Sequence, residues 1–172
     1  MTNTTRSFRI EKDISNILDE ESERMGISVN ALVNIILKHY SEFSRFLSKI
    51  DLVVVNREIL IKLLEFTEDQ NLFKLGLDLG ETIPKDIILF WKKELDRKNV
   101  FEYLEKIICR YGFLGTYDEI NQKGEKIIVI RHRLGKKGSL FFHGYIKSIF
   151  NLVGLDNNIE ITDSSVKVKI TI

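Results

Sequence analysis

A chain of 172 residues suits one large domain or two small ones. With 44% hydrophobic and 30% charged residues, it has the composition of a folded globular protein, which excludes wholesale disorder. Its 26 basic and 25 acidic residues leave a net charge of +1, so any nucleic-acid contact must come from a local patch.

The first pattern is TTRSFRI, residues 4–10. Alternation predicts a strand from Thr5 to Ile10, with Phe8 and Ile10 facing inward and Thr5, Ser7 and Arg9 on the opposite face. In EKDISNILDEESERMG, Ile14, Ile17, Leu18 and Met25 recur at helical spacing, and Gly26 suits a C-terminal stop. Ser28 is a candidate N-cap for a second helix, which is apolar over a wide arc from Leu32 to Phe43. One strand and two short helices cannot close a core alone, so a twofold dimer with paired strands is expected.

Residues 5–43 resemble the ribbon-helix-helix family of DNA-binding proteins. The resemblance rests on the alternating TRSFRI, the helix ending in ERMGIS and the second helix VNALVNIILKHY. It implies an intertwined dimer whose two-stranded ribbon enters the major groove of double-stranded DNA. Thr5, Ser7 and Arg9 would then read base edges, and Ser28, Val29 and Asn30 would clamp a phosphate at a helix N-terminus. The implied function is a sequence-specific transcriptional regulator on a palindromic operator. The alternative is an antitoxin-type interaction protein whose C-terminal part binds a protein partner.

From about Asp51 the pattern predicts a second unit. Asn56 caps the helix NREILIKLLEF, and a short helix in TEDQNLFKLGLDLG stops at Gly80. Pro84 opens PKDIILFWKKEL in its first turn, and NVFEYLEKIICRYG ends at Gly112. The period then changes to two. A hairpin turning at Lys123 and Gly124, the helix GSLFFHGYIKSIFNLVG and a hairpin turning at Asp163 and Ser164 follow. The expected fold class is α+β: a ribbon-helix-helix over residues 1–48, then an α+β unit over 51–172 with helices first and ββ-α-ββ after them.

Chemistry in the second unit has few candidates. Cys109, His132 and His143 are possible metal ligands, but no short ligand spacing supports a site, and no metal is expected. RHRLGKKG gathers Arg131, Arg133, Lys136 and Lys137 at a turn, as a solvated loop or an anion site. Nickel-responsive regulators share the plan of a ribbon-helix-helix followed by a ligand-binding α+β domain, but their histidine-rich motif is absent. The order hairpin, basic turn, GSLFFHGYIKSIF, hairpin resembles the end of the haem nitric-oxide-binding and vinyl-reductase-like sensor folds. In a haem sensor, the helix corresponding to YLEKIICRYG carries the iron ligand, and here it has no histidine. The resemblance therefore implies no cofactor but a pocket for a small-molecule effector, with Phe90, Trp91, Phe141 and Phe142 as candidate lining.

No phosphate-loop, dinucleotide, zinc-protease or serine-hydrolase motif occurs, and no enzyme is expected. The lone Cys109 excludes an intrachain disulfide and fits a reducing compartment. No apolar run nears a membrane span of ~20 residues, and no signal core is seen, so a cytoplasmic homodimer or higher oligomer away from membranes is expected.

Overall fold

The computed structural model describes residues 4–49, 52–122 and 124–171. The chain divides into two compact units, Met1–Lys49 and Ile50–Ile172.

In the first unit, α1 (Lys12–Met25) and α2 (Val29–Glu42) are followed by a 3-10 turn over Ser44–Lys49. Gly26 ends α1 at φ 65°, and its N–H reaches the Glu23 carbonyl at 3.0 Å. The Ser28 Oγ caps α2 by accepting from the Ala31 N–H at 3.2 Å. The expected ribbon is corrected. Residues 4–10 form neither strand nor helix, and both alternating sets of side chains are exposed. Alternation supplies two faces, but a strand exists only through ladder hydrogen bonds to a neighbour. The described segment makes none, and helices come first. The ribbon-helix-helix fold is thus not the architecture of this unit.

The second unit contains α3 (Arg57–Glu65), α4 (Asp69–Lys92) and α5 (Arg97–Glu102), which continues as a π-helix over Tyr103–Tyr111. Then come β1 (Gly115–Gln122), β2 (Glu125–His132), α6 (Gly135–Leu152), β3 (Asn157–Ile161) and β4 (Ser165–Thr171). The strands form one antiparallel sheet in the order β1-β2-β4-β3, with Ile128 opposite Val168 and Ile130 opposite Val166. Every second residue, Ile128 and Ile130 on β2 and Val166, Val168 and Ile170 on β4, is buried. The other face carries the ion pairs of Lys167 and Lys169 with Glu160, while Lys126, in register with Ile170, pairs with Glu119 on the buried side. The Lys123 of the expected first turn lies outside the described residues, and the adjoining Gly124 has φ 85°.

α6 is the centre of this unit. Phe142, Ile146, Ile149 and Phe150 are buried, and each such side chain contributes about 1.5–3 kcal/mol through burial. Its backbone also meets that of α4. A Cβ on Gly144 would lie 2.1 Å from the Phe73 carbonyl oxygen, and one on Gly76 would lie 2.2 Å from that of Phe141. Gly80 is equally tight, 2.4 Å from the Tyr145 carbonyl oxygen. Gly80 and Pro84, expected to end one helix and begin another, therefore lie inside a continuous α4. Gly80 is a point of close approach and not a stop. Pro84 is buried within α4, where it leaves the Gly80 carbonyl without its usual donor.

Gly144→Ala should destabilise the protein by about 3 kcal/mol or more, because two backbones would have to separate. Gly26→Ala, strained only by its positive φ, should cost about 1 kcal/mol. Urea denaturation of the two variants compares them, and equal losses would refute the close-packed crossing.

Candidate functional site

Two tyrosines meet inside the second unit. Tyr103 opens the π-helix and Tyr145 stands mid-way along α6, and their hydroxyls are 2.7 Å apart. Both side chains are buried among apolar neighbours, with Phe141 stacked on Tyr145 at 5.5 Å between ring centroids. Two phenols hold two protons and their mutual bond uses one. Among the described residues, no acceptor takes the other. A buried hydroxyl proton left unpaired costs about 1–3 kcal/mol, so the pair holds a donor suited to a ligand. Burial pushes the Tyr103 hydroxyl well above the ordinary phenol range and that of Tyr145 up to about 12. Both stay neutral, and the site offers a hydrogen-bond donor with no charge.

The π-helix shapes this wall. Its wider i→i+5 ladder closes with the Gly112 N–H on the Ile107 carbonyl at 2.8 Å. π segments are rare, mostly single turns, and frequent at functional sites; this one runs nine residues. Tyr103, Leu104, Ile107, Cys109 and Tyr111 are all buried along it. The Glu102 carboxylate just before it bonds Lys92 at 2.6 Å and Lys106 at 3.0 Å, tying the segment to the end of α4. These lysines hold Glu102 below the usual carboxylate range.

A second buried polar pair has the look of a base and a nucleophile. The His132 Nε2 is 3.0 Å from the Ser139 Oγ, and both residues are buried. The Leu134 N–H donates to Nδ1 at 3.3 Å. Nδ1 is therefore the unprotonated nitrogen, and Nε2–H donates to Ser139. An imidazole already protonated at Nε2 cannot take the serine proton, so the pair staples β2 to α6 and is no catalytic dyad. Burial lowers the proton affinity of His132 and keeps it neutral.

The residues singled out from sequence are placed as follows. Thr5, Ser7 and Arg9 are exposed on the segment before α1. Ser28 caps α2, while Val29 is half-buried and Asn30 exposed in its first turn. Cys109, His132 and His143 do not form a cluster: no three His, Cys, Asp or Glu side chains converge among the described residues. Trp91 lies against Lys92, whose Nζ is 4.1 Å from the ring centroid, and Phe90 against Lys93 at 5.2 Å. Phe141 and Phe142 belong instead to the group around Tyr145 and His132. Within the basic turn, Arg131 pairs with Asp118, and Lys137 donates to the Glu65 carbonyl at 3.1 Å and to that of Thr67. Lys137 thus caps the end of α3. Tyr103 and Tyr145 were not singled out. Their only trace in the sequence is a tyrosine at the core position of each of two amphipathic helices.

No family model matches the chain, and no curated protein does. Among solved structures, a mutant H-NOX protein from K. algicida, in its unliganded Fe(II) state, matches with a TM-score of 0.50. The match is at 12% identity and covers 81% of this chain and 93% of that one. Helices followed by a small antiparallel sheet are thus a fold seen in an H-NOX (haem nitric oxide/oxygen-binding) protein. This likeness, with no ribbon formed at residues 4–10, overturns the expected DNA-binding transcriptional regulator.

The described residues of the second unit do not fit haem. The helix before the sheet has no histidine, and both ring nitrogens of His132 are engaged. His143 sits edge-on to Phe73 at 4.9 Å. The Cys109 thiol is raised to about 12 by burial and by Glu105, so it is not the thiolate that binds iron. No described helix is long and apolar enough to cross a membrane.

Because His132 is neutral when folded and titrates near 6.5 when unfolded, its contribution is complete above that value and lost as pH falls below it. The urea midpoint should drop between about pH 7.5 and about pH 5.5, and less steeply in His132→Gln. An unchanged slope in the variant would rule out His132 as the source. His143, lowered by burial and by Lys147, adds a loss of the same sign that the variant retains.

Proposed function

We propose that the unit spanning residues 50–172 is a haem-free sensor unit that takes up a small uncharged ligand at the Tyr103–Tyr145 hydroxyl pair. The observation that carries this reading is the spare hydroxyl proton of the pair, held in an otherwise apolar environment. A ligand with a carbonyl or ether oxygen satisfies that donor, and a carboxylate or phosphate would lose too much hydration to compete. Likeness of fold to an H-NOX protein, whose form in the matched structure is described as unliganded, supports a ligand-receiving role. The long π-helix at the same place supports it further. The role is binding, not catalysis, in keeping with the His132 tautomer that leaves Ser139 unactivated. We place it in the cytoplasm, where the buried Cys109 thiol persists reduced.

The test uses cyclohexanone as an uncharged acceptor, benzoate as its charged counterpart and haemin, with melting temperature and Trp91 fluorescence as readouts. Cyclohexanone should stabilise the wild-type chain, benzoate should not, and haemin should give no stoichiometric Soret shift. In the double variant Tyr103→Phe/Tyr145→Phe, cyclohexanone should bind about tenfold more weakly, the loss of about one hydrogen bond. The double variant should be as stable as wild type or more so, because both polar groups leave together, whereas either single variant strands the other hydroxyl. Equal cyclohexanone binding by wild type and the double variant would sink the proposal.

A further inference from the structure

The first unit carries its large apolar side chains outside. Among its described residues, only Leu32 and Phe43 are buried hydrophobics. Nine others are exposed, Phe8 at 67%, Ile17 at 59% and Tyr40 at 59% among them. They are not scattered. Ile14, Ile17 and Met25 share one stripe of α1, and Ile36, Leu37 and Tyr40 share one side of α2. Asp19, Glu20 and Glu23 lie on the opposite side of α1, and the two charges that fall within the stripe, Glu21 and Arg24, pair with each other. Two buried side chains cannot stabilise a unit of this size, since even complete small domains are marginal.

We infer that this apolar face is the interface between two copies of the chain, packed through α1 and α2. At about 100 Å² for each exposed side chain, the seven on α1 and α2 offer about 700 Å² per protomer, within the ~600–1,000 Å² a side of a standard specific interface. Its chemistry favours a second copy over another protein. α2 carries only Lys38, His39 and Glu42 as titratable side chains besides Tyr40, and Glu21 and Arg24 on the α1 side satisfy each other, so the face leaves little net charge for a different partner to complement. Strongly apolar, weakly charged interfaces are those of obligate homodimers. A twofold axis brings the same patch against itself, so apolar complementarity is met without further design. A unit that does not close its own core also needs a partner present whenever the chain is made, and a second copy always is. This inference stands apart from ligand binding, because none of its residues belongs to the second unit.

Sedimentation equilibrium of the full chain, from about 1 to about 100 µM, reads the mass directly. The expected result is twice the 20.1 kDa of one chain. The double variant Ile36→Lys/Tyr40→Lys should sediment at 20.1 kDa with Trp91 fluorescence unchanged. Hydrogen exchange on the wild type adds a measurement that no variant can confound. Amides of α1 and α2 should gain protection as concentration rises, and those of α6 should not. A wild-type monomer throughout the range overturns the inference, as when the second unit of the same chain or another protein covers the face. A dimer that survives the double lysine variant, or exchange in α1 and α2 that ignores concentration, overturns it as well.

Discussion

The second unit depends on one crossing, that of α4 and α6 at Gly76 and Gly144. Each glycine faces the carbonyl oxygen of the opposite helix at a distance no side chain tolerates. Once the two backbones are that close, α6 is held against α4 along one side. Its other sides are left to bury Ile146, Ile149 and Phe150. The length of α4 follows as well. A helix broken at Gly80 or Pro84 would lose the second glycine contact, so packing carries α4 through both residues. Tyr145 lies immediately after Gly144, and the crossing therefore also sets where its hydroxyl sits.

Two buried polar pairs adjoin this frame, and their proton inventories separate them. His132 and Ser139 are balanced. Leu134 donates to one ring nitrogen, the other donates to the serine, and the result is a fixed tautomer and a joint between β2 and α6. Tyr103 and Tyr145 are not balanced, since two hydroxyl protons share one bond. A closed pair suits structure and an open one suits recognition. The likeness to an H-NOX protein extends to the fold alone. The uncharged ligand proposed for the unit rests on the donor set beside the π-helix and not on that likeness.

The two units solve their apolar surface differently. The second closes a sheet, α6 and α4 around one core, with Lys167 and Lys169 paired to Glu160 on the outer face of the sheet. The first has two helices, and two helices leave one side of each uncovered. Its helix ends are nevertheless well made, with a left-handed Gly26 and a capping Ser28. Local order there is complete, and tertiary burial is what it lacks.

Sequence alone determined the local events. The Ser28 and Asn56 caps, the Gly26 stop, the paired strands of both hairpins and the helix between them depend on residues a few positions apart, and these fell where spacing placed them. Alternation also suggested a strand at Thr5–Ile10, and there it failed, because a ladder needs a neighbour that periodicity cannot name. Only the tertiary structure decided that Gly80 and Pro84 continue a helix, that Lys137 caps α3 across the chain, and that Tyr103 meets Tyr145. Each depends on groups separated by tens of residues. Which polar atoms end as partners, and which are left with a proton to give, is settled by packing and not by pattern.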